Sequence, residues 1–111
     1  MLSFQKLRVY QASISFLALV MQITRALPKG HADLADQLLR AAQSQPLDIA
    51  EGAGRWTKAD QARFYMHARG SAMEAAAALD MLRVMELVDE ERYTRGVELL
   101  EGIVAMLTKM V

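Results

Sequence analysis

Leu39-Arg40-Ala41-Ala42-Gln43-Ser44-Gln45-Pro46-Leu47-Asp48-Ile49-Ala50-Glu51-Gly52-Ala53-Gly54-Arg55 is the stretch on which the fold is decided. Leu34, Leu38, Ala42, Gln45 and Ile49 recur at intervals of three and four, the period of one face of an α-helix. Leu39 and Ala50 flank that row. Arg40, Ser44, Asp48, Glu51 and Arg55 follow at offsets of 4, 4, 3 and 4, which places all five on one side with opposite charges a turn apart. Pro46 interrupts the run. Inside a helix it costs about 3 kcal/mol when nothing compensates it; at a first helical position it costs little. The apolar period crosses Pro46 without a phase jump, which favours one kinked helix. That helix starts near His31–Asp33, with Asp33 as its cap, and stops at Gly52 and Gly54.

Working outward, three more amphipathic segments emerge. The first spans about Phe4 to Leu27, with Ser3 as N-cap and Pro28 and Gly30 as its stop. It carries two apolar stripes, Leu7, Tyr10, Ile14, Leu17 and Met21 on one side and Val9, Phe16, Val20, Ile23 and Leu27 on the other. One stripe suffices inside a monomer, so two predict a helix covered on more than one side. Thr57-Lys58-Ala59-Asp60 opens a further helix in the manner of a capping box. It runs to about Val88, with Phe64, Ala68, Ala72, Ala75, Leu79 and Leu82 along its inner face. Gly70 lies mid-helix at a cost of about 1 kcal/mol relative to alanine, which predicts the close approach of another backbone there. Asp89-Glu90-Glu91 suits the positive end of a last helix. Its apolar row is Tyr93, Val97, Leu100, Val104, Leu107 and Val111. Four helices with short links predict an all-α, up-down-up-down four-helix bundle, a single domain over residues 1–111.

Composition agrees. The chain has 111 residues, 53% of them apolar, no cysteine and a formal net charge of zero. An apolar excess in so small a domain means a large core, a buried interface between copies, or both. Residues 1–58 hold seven Lys/Arg against four Asp/Glu, and residues 59–111 hold six against nine. Such a dipolar chain suits self-association better than binding to a phosphate backbone, which needs a concentrated basic surface. The longest unbroken apolar run, Phe16 to Met21, is far short of the roughly 18 residues of a membrane span. Lys6 and Arg8 ahead of Val9–Leu27 imitate a signal peptide, but Gln11, Ser13, Ser15 and Gln22 interrupt that segment with helical periodicity. A cytoplasmic protein is expected.

Catalytic patterns are scarce. A carboxylate-bridged di-metal site in a bundle needs Glu-x-x-His on two helices, and neither His31 nor His67 has a carboxylate three residues before it. No phosphate-cradling glycine loop, no recognisable nucleophile and no cofactor motif is present. The row Arg63, His67 and Glu74 on the third helix leaves room for a histidine base held by a carboxylate, but a hydrogen-bonded structural histidine is the commoner outcome. The rows on the second and third helices either face each other as an ion-pair ladder or form two solvated sides. Trp56, just before a helix, reads as a plug for a bundle end or a contact between subunits. The chain does not read as an enzyme.

One resemblance covers nearly all of it. Arg40-Ala41-Ala42-x-Ser44-x-Pro46-x-Asp48-Ile49-Ala50-Glu51-Gly52-x-Gly54-Arg55, then Arg63-Phe64, then Gly70-Ser71-Ala72-x-Glu74 closely resembles the bacterial four-helix-bundle family named for intervening sequences in large-subunit ribosomal RNA genes. Phe4-x-x-Leu7-x-Val9-x-Gln11 and Ile103-x-x-Met106-Leu107 also fit. Asp48 stands where relatives usually have Asn, and Gln43 and Gln45 stand where they have branched apolar residues. The resemblance implies an all-α bundle assembled into a symmetric ring, a homopentamer in characterised examples, with no assigned biochemical activity. A related branch, the accessory variability protein of diversity-generating retroelements, is basic and works with a reverse transcriptase and nucleic acid. The motif also favours a polar network of Arg40, Asp48, Glu51, Arg55, Arg63 and Glu74.

Three functions are therefore open. The first is a non-enzymatic, homo-oligomeric scaffold or adaptor whose principal partner is itself. The second is a nucleic-acid-binding accessory using Lys6, Arg8, Arg25, Lys29, Arg40, Arg55 and Lys58, provided the fold gathers them. The third is a small-molecule or hydrolytic site around His67, Glu51 and Glu74, which requires those three to converge in a pocket.

Overall fold

The structure, a computed structural model, describes all 111 residues as four α-helices behind a short 3-10 turn, with no strand. The turn is Ser3–Lys6; the helices are α1 (Arg8–Arg25), α2 (Ala32–Ala53), α3 (Lys58–Val84) and α4 (Glu90–Lys109). Each helix packs on its neighbours in a closed square, α1 on α2 and α4, and α3 on α2 and α4, while the diagonal pairs do not meet. Links this short between helices in contact force antiparallel neighbours. The result is an elongated body of 44 × 24 × 23 Å.

The core is one cluster. Phe16, Val20 and Ile23 of α1, Leu38 and Ile49 of α2, Leu79 and Leu82 of α3, and Ile103 and Leu107 of α4 are removed from water or nearly so. Small residues let α3 approach its neighbours, with Ala68, Ala72 and Ala75 fully buried between them. Two glycines are needed for contact. A Cβ on Gly52 would stand 2.7 Å from the Tyr65 ring, and one on Gly96 would stand 2.8 Å from Leu79. Gly70 is not one of them: it faces outward, and a Cβ there would meet nothing within 4 Å. The close approach expected at Gly70 is made instead at Gly52 and Gly96.

Other expectations shift in detail. The first helix does not run from Phe4. Leu7 adopts an extended conformation (φ −67°, ψ 130°) that separates the 3-10 turn from α1, and Phe4 folds back edge-on against Tyr10 with centroids 5.0 Å apart. Ser3 lies inside the turn, and α1 ends at Arg25. His31, not Asp33, occupies the N-cap of α2, and Asp33 sits in its first turn. α2 is continuous through Pro46, which gives no N–H to the Ala42 carbonyl. Nearby, Ser44 Oγ and Gln45 Nε2 both donate to the Ala41 carbonyl, at 3.3 and 3.0 Å. Thr57 caps α3 as expected, accepting from the Asp60 N–H at 3.1 Å.

α3 stops at Val84, not Val88. Glu86 takes a left-handed conformation (φ 58°), Leu87 N–H donates to Leu82 O at 2.8 Å, and Glu86 N–H donates to Arg83 O at 3.0 Å. Those two bonds make a Schellman ending. The buried residues of α4 are Gly96, Leu100, Ile103 and Leu107; Val97 and Val104, placed in the inner row by their spacing, are only half-buried.

Candidate functional site

The two polar rows do not close into one network. Glu51 and Arg55 pair along α2 at 3.1 Å, both exposed. Arg63 reaches Asp60 on its own helix at 3.9 Å, a loose contact. Arg40 and Glu74 make no ion pair. The one polar link between the rows is His67 Nδ1 to Asp48 Oδ2 at 2.5 Å, joining α3 to α2. Asp48 is half-buried beneath it and His67 is exposed. The ladder fails because the chain places small residues, not charged ones, between α2 and α3, so the charged side chains ride on the rim of that contact.

Arginine makes a second cross-helix link without a carboxylate. The Arg55 guanidinium lies 4.6 Å from the Phe64 ring centroid, and that of Arg63 lies 5.3 Å from the same ring. Phe64 is therefore half-buried under two cations, and its ring holds both near the turn between α2 and α3. Gly52 sets that spacing, because a side chain there would strike Phe64 and Tyr65. Burial pushes the Tyr65 hydroxyl above the ordinary tyrosine range.

The hydrolytic arrangement does not form. His67 turns to Asp48, Glu51 to Arg55, and none of the principal clefts is lined by His67, Glu51 or Glu74. No group of three His, Asp or Glu side chains gathers for a metal ion. A polar cleft of about 500 Å³ lies between α1 and the start of α4, lined in part by Asp89, Glu91, Arg92 and Arg95. Its Asp89 is engaged by Arg92 at 3.0 Å.

The seven basic candidates divide. Lys6, Arg8, Arg55 and Lys58 come to one end of the bundle, at the start of α1, the end of α2 and the start of α3. Arg25 and Lys29 lie at the other end, about 25 Å away at 1.5 Å of rise per residue, and Arg40 is exposed midway along α2. Lys109, at the end of α4, joins the first group and shares a groove of about 400 Å³ with Lys6 and Arg8. Trp56 stands at the same end, 99% exposed. It plugs nothing in its own chain.

Sequence reasoning missed a cluster at the α3–α4 turn. Arg83 forks onto Glu90 with two 2.9 Å bonds and stacks over the Tyr93 ring at 4.3 Å, while the Tyr93 hydroxyl donates to Asp80 at 2.6 Å. The Glu90 hydrogen bond raises the Arg83 pKa further, and the Asp80 hydrogen bond raises that of Tyr93. The signal was Tyr93 one turn into a helix that begins with acids, opposite an arginine that ends the preceding helix.

A single core walled by four helices, with no charged side chain buried in it, defines an all-α helical-bundle protein. No helix is long and apolar enough to cross a membrane. The chain belongs to the 23S rRNA-intervening sequence protein family, whose model matches residues 5–109. The fold is similar to the crystal structure of a protein with unknown function from the S23 ribosomal protein family of Bacteroides thetaiotaomicron VPI-5482. The TM-score is 0.84 at 21% identity, over 92% of this chain and 96% of the other. At that identity the likeness bears on the fold alone. No curated protein matches the chain.

Proposed function

We propose that this protein is a non-enzymatic helical scaffold or adaptor that works in the cytoplasm as a closed homo-oligomer. One observation carries the reading: the bundle has two different uncovered apolar faces on two different sides. The first is a ridge on α3. Met66, Gly70, Met73, Ala77, Met81 and Val84 succeed one another at offsets of 4, 3, 4, 4 and 3 and all are exposed, Met66 by 61% and Val84 by 82%. They sit opposite the buried row of the same helix, which therefore offers apolar contact both inward and outward. Beside the ridge a groove lined by Ala72, Ala76, Val97 and Val104 continues onto α4. The second face is a groove of about 500 Å³ between α1 and α2, lined by Tyr10, Ile14, Leu17, Pro46, Leu47 and Ala50, with Leu47 69% exposed.

Patches of this kind rimmed by polar residues mark interaction surfaces. Two unlike faces on one body fit a heterologous contact, ridge into groove, which closes into a ring when the rotation permits. Gly70 gains a role there: with open space above it, the α3 backbone lies low enough for a neighbouring helix to approach. The subunit number implied by the family resemblance is five. Sedimentation velocity at micromolar concentration is the test. Assembly that is lost on Met73→Glu supports the proposal; a stable wild-type monomer defeats it.

A further inference from the structure

We propose that the Trp56 end of the bundle binds single-stranded nucleic acid, with the indole as a stacking platform and Lys6, Arg8, Lys58 and Lys109 as phosphate contacts. Charge is segregated along the molecule in a way that the neutral total conceals. The Trp56 end, residues 1–13, 48–69 and 104–111, holds seven Lys/Arg against three Asp/Glu. The opposite end, residues 20–38 and 80–95, holds five against seven. At the basic end, Glu51 and Asp60 already lie against Arg55 and Arg63. Lys6, Arg8, Lys58 and Lys109 have no carboxylate within 4 Å and remain free for an anion. Trp56 projects from the α2–α3 turn at this same end of the bundle, uncovered by any side chain of its own chain.

An exposed aromatic ring beside unpaired cations is the composition that recognises single strands, because unpaired bases stack on the ring while the cations track the backbone. A duplex keeps its bases stacked on each other and leaves the indole without a partner. A second copy of this chain is the poorer occupant. The apolar faces proposed for self-association run along the sides of the bundle, and contact between two Trp56 ends would set like charge against like. The site is complete within one chain, so it does not depend on the oligomer.

Trp56 is the chain's one tryptophan and reports on its own site. The experiment titrates the full-length protein with an oligothymidylate of roughly a dozen nucleotides and follows indole emission, with anisotropy of a labelled strand for the variants. Quenching should saturate at low salt, and log affinity should fall with log salt at a slope of about −3, four phosphates at about 0.7 each. Trp56→Ala should weaken binding about tenfold, Trp56→Phe should retain most of it, and Lys58→Glu with Arg8→Glu should abolish it. Arg25→Glu with Lys29→Glu, at the far end, should leave it unchanged. Absence of quenching at low salt overturns the proposal, as does equal affinity for duplex or an equal loss with the far-end pair. Trp56 emission that shifts with protein concentration alone would place the indole between copies and overturn it too.

Discussion

Gln45 is the residue at which the sequence and the packing disagree most. Its side chain is fully buried, and while Nε2 donates to the Ala41 carbonyl, Oε1 has no partner. A buried acceptor without a donor costs on the order of 1–3 kcal/mol. Gln45→Leu removes the orphan at similar volume, and the Ala41 carbonyl still has Ser44. We expect the variant to gain about 1 kcal/mol and to melt about 4 °C higher; an unchanged or lower melting temperature would mean that Oε1 is satisfied. Glu51 illustrates the opposite case. Its position in the motif suggested a network, but its side chain is 53% exposed and touches only Arg55, a turn away. Glu51→Ala should therefore cost less than about 1 kcal/mol in a thermal melt, and a loss of 3 kcal/mol would restore the buried ladder.

At the scale of elements, helix ends decide more than helix middles. Glu86 takes the left-handed position of a Schellman ending, where a side chain costs about 1 kcal/mol that glycine avoids. Glu86→Gly should stabilise the fold by up to about 1 kcal/mol in chemical denaturation, and destabilisation would show that the Glu86 side chain is needed. Asp89 caps α4 by accepting from the Arg92 N–H at 2.8 Å, and that bond holds its carboxyl below the ordinary aspartate range. Its contribution is therefore present above the unfolded pKa, about 4, and is lost as pH falls through the lower folded value. The melting gap between wild type and Asp89→Ala should be open at neutral pH and should narrow in acid; a gap independent of pH would remove the carboxylate from the account. The Thr57 cap was legible in the sequence because capping is local chemistry, and so was the acidic start of α4, read from the macrodipole, whereas Ser3 and Asp33 do not cap α1 and α2. Close approaches were not. Gly70 and Gly52 look alike as letters, and only the packing of α2 on α3 shows which of them faces a neighbour. The same holds for α4, where the spacing identified a helix but put Val97 and Val104 inside in place of Gly96 and Ile103. That helix is apolar on two sides, so periodicity alone could not say which side turns inward. Of the candidate site, the basic residues were readable, but their division between two ends 25 Å or so apart required the order of the helices.

For the whole molecule, the consequence of having a ridge and a groove on different sides is directional assembly. A ridge that paired with a second ridge would give a two-fold dimer and leave the α1–α2 groove empty. A ridge that enters a groove repeats until the ring closes. Two single-face variants distinguish these geometries. Met73→Glu puts a charge in the ridge, and Leu47→Glu puts one at the groove; both positions are exposed in the monomer, so neither substitution disturbs the core. In the directional case each variant alone should sediment as a monomer. Mixed in equal amounts they should form dimers and nothing larger, because the intact ridge of the Leu47→Glu copy meets the intact groove of the Met73→Glu copy once, and both remaining faces are spoiled. In the two-fold case Leu47→Glu should dimerise unaided, and mixing should add no larger species. A mixture of the two variants that stays monomeric while the wild type assembles would show that neither pairing describes how copies of this chain meet.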